Sequence, residues 1–297
     1  MLENQRVIIH IGLHKTASTY LQTQIFPQFQ DWCVIGRPTT QFHSLFNKLQ
    51  YLDDSLFDDS VLINLRNQII RKADGRNILL TDESFCGKLY RWGYNNRSIV
   101  ANRLKKMFPE AVILIVIREP ISLSVSIYNQ YVKMGGVLHY TDYFDIIIKD
   151  DFNFLKNDNQ TNWDLRKLPI NTTQDKLYID YLKFDELSQF YQDKFNSIII
   201  WKQEDIANEG FLTNEIYSVF GERLEFNQIS KTINRSIPNG SILFYMYLNR
   251  LLNIFIKQRT GMRRVLYKFE LFPWNKGKIF MDLTKKFKII LTNKYYN

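Results

Sequence analysis

Lys15 stands where a bound anion could be held. Three hydroxyl residues, Thr16, Ser18 and Thr19, follow it within four positions, and a short apolar run, Val7 to Ile11, precedes it with Gly12 at the junction. The run reads as a buried strand. Tyr20, Leu21 and Ile25 then resume at helical spacing, and Pro27 limits that helix. Strand, tight loop and helix start have the geometry of a phosphate cradle. Free backbone N–H groups at a helix start face an anion, the helix dipole favours negative charge, Lys15 adds a point charge, and the hydroxyls can donate. The loop is not a Walker A sequence, which needs a glycine directly before the lysine, where this chain has His14. As an ordinary surface turn the same stretch would use Ser18 or Thr19 as a helix N-cap.

Two further sets of residues have chemical potential. Arg118 stands immediately after Ala111 to Ile117, the most apolar run in the chain, and Ser126 lies eight residues later. Continuous rather than alternating apolarity predicts a strand buried on both faces of a parallel sheet, followed by a helix from about Ile121 to Met134. Ligands of such sheets sit outside the carboxyl ends of the strands. Arg118 is therefore placed beside the first loop if the two strands are neighbours. The second set is Asp82-Glu83-Ser84, at the end of the predicted strand Asn77 to Thr81. A carboxylate in a partly desolvated cleft can take a proton from an attacking hydroxyl. Alternatively, Glu83 is an acid favoured by the dipole at a helix start.

Leu13-His14-Lys15-Thr16-Ala17-Ser18-Thr19 resembles the 5′-phosphosulfate loop of the sulfotransferases that use 3′-phosphoadenosine 5′-phosphosulfate (PAPS). Ala17 sits where many members carry glycine. Arg118-Glu119-Pro120 with Ser126 resembles the family's 3′-phosphate site, and Asn234-Arg235-Ser236 resembles a short motif that closes over the nucleotide. The resemblance covers roughly residues 6 to 240 and is specific at the first two motifs. It implies PAPS as donor, 3′,5′-ADP as product, and a P-loop-like, nucleotide-kinase-like fold. It further implies that His14, Lys15, Thr16, Ala17, Ser18 and Thr19 hold the phosphosulfate, while Arg118, Ser126 and Arg235 hold the 3′-phosphate. Lys15 and Glu83 are then the catalytic pair. Glycan-modifying members use a glutamate after a strand in this region and small-molecule members a histidine, so Asp82, His14 and His43 stand as alternatives to Glu83. Ile198 to Ile206 resembles the family's late strand with its Glu204-Asp205 pair, acids that organise the fold. A carbohydrate or glycolipid acceptor follows from the glutamate-type base and the aromatic content.

The elements that must position these residues are those of an α/β protein, a doubly wound parallel sheet flanked by helices. Strands are expected at 7–11, 31–35, 77–81, 111–117 and 197–201, and helices at 98–108, 121–134, 185–195 and 211–220. Residues 39–74 read as mixed and polar, with Asp53, Asp54, Asp58 and Asp59 on a solvated face, and 150–175 as a long loop. The 297 residues are 45% hydrophobic, enough for one large domain with an appendage, and disorder throughout is excluded. Two scattered cysteines, Cys33 and Cys86, make neither a disulfide framework nor a zinc cluster, and no metal-ligand spacing is present.

The net charge of +9 is unevenly placed. From Lys231 onward fourteen basic residues face two acidic ones, a net of +12, whereas the rest of the chain has twenty-five against twenty-eight, a net of −3. The expected organisation is a PAPS-binding domain at 1–240 and a basic, aromatic-rich helical C-terminal extension at 241–297, packed on the domain or at a membrane surface. The start of the chain lacks a signal-peptide pattern, and the apolar stretches are too short to span a bilayer. A cytoplasmic protein is expected, with peripheral contact to the inner face of the membrane through the basic region. Neither nucleic acid nor a partner protein is implied. Two other functions compete: a nucleotide or small-molecule kinase with a divergent phosphate loop, and a non-catalytic basic module binding a polyanion or membrane. The kinase leaves Arg118 and Ser126 without a role, and the basic module leaves the first loop unexplained.

Overall fold

The structure, a computed structural model, describes residues 5–36, 42–87, 89, 96–133, 136–145, 177–225 and 242. These fall in the compact unit spanning 1–242. Arg235, the 150–175 stretch and the basic extension apart from Ile242 lie outside the described residues.

Five strands form one parallel sheet in the order β2-β3-β1-β4-β7. They are β1 (Val7–His10), β2 (Trp32–Gly36), β3 (Asn77–Thr81), β4 (Val112–Ile117) and β7 (Ser197–Lys202). β1 is central, with Ile9 opposite Leu80 of β3 and Ile113 of β4. Side chains alternate across the pleat, yet neighbours such as Ile8 and Ile9, or Leu114 and Ile115, are equally buried. Both faces are therefore covered, as the unbroken apolar runs predict.

On one face Ile8, Leu79, Leu114, Val116 and Trp201 meet Leu21, Ile25, Phe26 and Phe29 from the segment after β1, and Leu212, Ile216 and Phe220 from the last described helix, Glu209–Phe220. Trp32 Nε1 donates to Phe220 O at 2.9 Å, tying the β2 edge to that helix. Gly221, at φ 74, ends it in the left-handed conformation that suits glycine. Helices α2 (His43–Tyr51), α3 (Ser60–Ala73) and α4 (Arg97–Met107) pack on one another, and α3 packs on β2 and β3. Helix α5 (Pro120–Lys133) follows β4. A two-stranded parallel pair, β5 (Phe144–Asp145) with β6 (Leu177–Tyr178), stands apart from the main sheet.

The α/β fold with its parallel sheet is as expected, and three local features differ. Residues 39–74, read as mixed and polar with no element assigned, contain α2 and α3. In α3 Leu62, Leu65, Ile69 and Ala73 make a buried stripe at helical spacing beneath a polar exterior. The helix after the first loop is not one regular α-helix. Ser18–Tyr20 is α-helical (α1), Leu21–Ile25 widens to a π-turn, and Phe26–Gln28 tightens to a 3₁₀ turn. Leu21, Ile25 and Phe26 are all fully buried. The small β5–β6 pair was not foreseen. Cys33 and Cys86 are free thiols, both buried. No helix among the described residues is long and apolar enough to cross a membrane.

Candidate active site at the carboxyl edge of the sheet

The chain leaves β1 towards β2, on one side of the sheet, and leaves β4 towards β7, on the other. The crevice between the carboxyl ends of β1 and β4 is thus the topological switch point, where ligands of open α/β sheets bind. The loop after β1, the turn after β3 and the residue after β4 all open onto this edge.

The β1 loop is tightly wound. Gly12 has φ 43, Lys15 φ 68 and Ala17 φ 63, whereas Thr16 keeps negative φ. Left-handed backbone at Lys15 and Ala17 costs on the order of 1 kcal/mol each for residues with a Cβ. Such alternation turns successive backbone N–H groups towards one side, forming an anion-binding concavity. A Cβ on Gly12 would lie 2.6 Å from Ser18 Oγ, so only glycine fits under the loop. Two hydroxyls converge on one carbonyl: Thr16 Oγ1 donates to Leu13 O at 2.6 Å, and Ser18 Oγ donates to the same oxygen at 3.3 Å. Thr16 is fully buried and shapes the loop, whereas Thr19 is exposed.

Arg118 reaches across from the end of β4, its Nη1 donating to Lys15 O at 3.2 Å. Burial pushes the Lys15 ammonium below the ordinary lysine value. The positive charge of Lys133 pushes the same way, Glu83 opposes it, and Arg118 adds a smaller downward push. Lys15, Glu83, Arg118 and Lys133 therefore share one electrostatic neighbourhood, with three cations around one acid. Beside it, Asp82 and Glu83 differ in their environments. Asp82 is buried, and its Oδ1 accepts from Ser84 N at 2.8 Å, capping the 3₁₀ turn Glu83–Cys86. Glu83 is half-buried and follows the cap. His14 is buried against that turn, its Nδ1 3.9 Å from Cys86 Sγ, and burial raises the Cys86 thiol to about 12.

No family model matches the chain, and no curated relative matches it by sequence. Its fold is similar to that of a sulfotransferase from Alicyclobacillus acidocaldarius, at 14% identity and a TM-score of 0.44, over 83% of this chain and 92% of that one. A likeness this distant carries no argument about the site.

Of the residues singled out from the sequence, the fold brings Lys15, Glu83 and Arg118 together, with Thr16, Ala17 and Ser18 in the same loop. Ser126 lies on α5, half-buried, and among the described residues no hydrogen bond joins it to Arg118. His43 begins α2 and is exposed. Glu204 accepts from Glu119 N at 3.2 Å, and Glu119 itself accepts from Ile121 N and Ser122 N. Glu119 and Glu204 fasten the start of α5, so of the late pair Glu204 makes an organising contact. Two residues of the site were missed. Lys133 is the last residue of α5, and nothing in the local sequence distinguishes it from a surface lysine. His10 reads as one member of an apolar strand, yet it is a fully buried imidazole below the loop.

Proposed function

We propose that this chain is a PAPS-dependent sulfotransferase acting on a carbohydrate or glycolipid hydroxyl. The observation that carries the reading is Arg118 reaching from β4 to the Lys15 carbonyl, with Lys15 in the electrostatic field of Glu83. Arginine, lysine and carboxylate thereby meet at the carboxyl ends of three adjacent strands.

The donor's 5′-phosphosulfate would lie on the wound loop, held by backbone N–H groups of Thr16 to Thr19 and by the hydroxyls of Ser18 and Thr19. Arg118, Ser126 and Arg235 would take the 3′-phosphate. The acceptor oxygen attacks sulfur in line as the bond from sulfur to the bridging phosphate oxygen breaks. The acceptor's proton goes to Glu83, and 3′,5′-ADP leaves carrying the electron pair. Lys15 neutralises charge developing on the bridging oxygen, an interaction stronger in the transition state than in the ground state. The capping duty of Asp82 favours Glu83 as the base. Transfer of this kind needs mostly positioning and electrostatics.

The test is calorimetric titration with 3′,5′-ADP and with ATP plus magnesium, followed by an acceptor screen with labelled PAPS. Preference for the 3′-phosphorylated nucleotide is the expected result. Preference for ATP with magnesium would make the chain a kinase, and binding of neither would remove it from both classes.

A further inference from the structure

Beneath the loop lies a buried imidazole that the reaction above does not use. His10 is the last residue of β1, and its ring is fully buried, edge-on to Phe26 with centroids 5.4 Å apart. Nδ1 lies 2.7 Å from Thr81 Oγ1, on the neighbouring strand. Gln22 Nε2, from the π-turn, donates to the same Thr81 oxygen at 3.0 Å. Nε2 of His10 has no partner among the described residues. A buried polar atom left unpaired costs about 1–3 kcal/mol, so its retention calls for a reason.

The neighbours of that nitrogen supply one. A Cβ built on Gly12 would lie 2.6 Å from Ser18 Oγ and 3.4 Å from His10 Nε2, so both atoms border the same small space under the loop. The proton positions follow from the partners. Thr81 Oγ1 already accepts from Gln22, and among the described residues its own proton has no acceptor other than His10 Nδ1. The ring proton therefore sits on Nε2, an assignment from the network rather than from seen hydrogens. Burial pushes the His10 ring down to about 3, so it is neutral at any working pH.

We infer that His10 is a positioning residue: when an anion enters the loop, Ser18 Oγ turns from Leu13 O to accept from His10 Nε2–H, and its own hydroxyl proton goes to the anion. The chain of donors runs one way, from Gln22 to Thr81 to His10 to Ser18 to the ligand. Each donor polarises the next, strengthening the terminal hydrogen bond without placing a net charge beneath the loop. The 3.3 Å bond from Ser18 to Leu13 O is the one given up when the anion arrives. Gly12 leaves the space across which Ser18 Oγ can reach His10 Nε2. The identity of the anion, the donor's phosphosulfate, rests on the function proposed above. The tautomer does not.

Nitrogen-15 labelling of the histidines and long-range proton–nitrogen correlation on the full chain read the tautomer directly, with His10→Gln identifying the His10 signals. The expected result in the free protein is a proton on Nε2, and a proton on Nδ1 overturns the relay. Adding 3′,5′-ADP should move the Nε2 proton resonance; saturation with the nucleotide and no movement overturns the relay while leaving the donor assignment standing. If the nucleotide does not bind, yet Ser18→Ala shifts the Nε2 signal, the relay holds and the donor assignment falls. In a double-mutant cycle, His10→Asn and Ser18→Ala should each weaken 3′,5′-ADP binding by about tenfold. Together they should weaken it hardly more than either alone, and additive losses would overturn the proposal.

Discussion

Two arginines, Arg103 in the α2–α4 corner and Arg118 at the crevice, show how the same side chain serves two ends. Arg103 is buried, and its guanidinium is nearly saturated. Nη1 donates to Leu49 O at 2.9 Å, and Nη2 donates to Leu52 O at 2.7 Å and to Asp54 Oδ1 at 2.6 Å. Its plane lies 3.7 Å from the Phe57 ring centroid. Those carbonyls belong to the end of α2, which has no further turn to accept from, so Arg103 is a C-terminal cap built from a distant helix. Arg118 is half-buried, and its one hydrogen bond among the described residues goes to Lys15 O. A guanidinium whose Nη donors go to the chain's own carbonyls and to Asp54 holds the fold. One that spends a single donor on a loop, beside a lysine with a depressed pKa, has donors left for a ligand.

The sharpest separation of the two regions comes from turnover. Glu83→Gln keeps shape and removes the proposed proton acceptor, so sulfate transfer should fall by roughly 10²–10⁴-fold with 3′,5′-ADP binding nearly intact. Lys15→Ala should lower kcat by about a hundredfold or more, because a transition-state charge loses its partner. Both should melt close to the wild type, being at the rim of the crevice rather than in the core. Asp82→Asn is the contrasting control. Asn caps a turn almost as well as Asp, so transfer should survive. Loss of transfer in Asp82→Asn with retention in Glu83→Gln would move the base one residue back.

The arginines themselves give the next two effects. Arg103→Ala strands several buried carbonyls at the end of α2 and should cost about 3 kcal/mol of stability, read by urea unfolding. Arg103→Lys should recover little of it, since an ammonium lacks the planar fork. Its nucleotide affinity, measured on whatever remains folded, should be unchanged. Arg118→Ala should do the reverse, weakening 3′,5′-ADP by about 2–3 kcal/mol and 5′-AMP much less, with stability barely altered. If Arg118→Ala unfolds the chain as readily as Arg103→Ala, the distinction drawn from donor saturation is wrong.

The difference between the arginines also marks what a sequence can convey. The inner strands were legible because burial on both faces leaves an unbroken apolar run, and Val112 to Ile117 admits little else. The crevice residues were legible because each stands directly after such a run, where topology alone sets the neighbourhood. Arg103 was not, because most of its partners are backbone carbonyls 51–55 positions away, which carry no residue type. The π-turn was hidden for a related reason. Leu21 and Ile25 fit a period of 3.6, and the extra residue shows only in the burial of Phe26 beside them. His10 was hidden by its company, an imidazole among isoleucines whose use depends on Thr81 in a strand 71 residues on. Lys133 became visible only when α5 carried it back towards Lys15.

The smallest expected effect concerns Lys133 and is read as a pH dependence. In the proposed reaction Lys15 is protonated to offset the leaving-group charge, and its pKa is held below the ordinary lysine value first by burial and next by Lys133. Raising the pH therefore removes the Lys15 proton earlier than it would from a free lysine, and kcat/KM should fall on an alkaline limb displaced to lower pH. That limb reports the free enzyme. Lys133→Ala removes a like charge and leaves Glu83 and Arg118 in place, so the Lys15 proton should be held more tightly. The limb should move up only part of the way to the ordinary lysine value, because burial rather than Lys133 is the largest cause. High salt should shrink the difference between variant and wild type, since the charges face solvent on one side. The same substitution leaves the Arg103 corner untouched and should not change unfolding by urea. A limb that stays fixed in Lys133→Ala would mean that Lys133 points away from the crevice in solution, leaving Lys15 and Arg118 as the cations that face the acid.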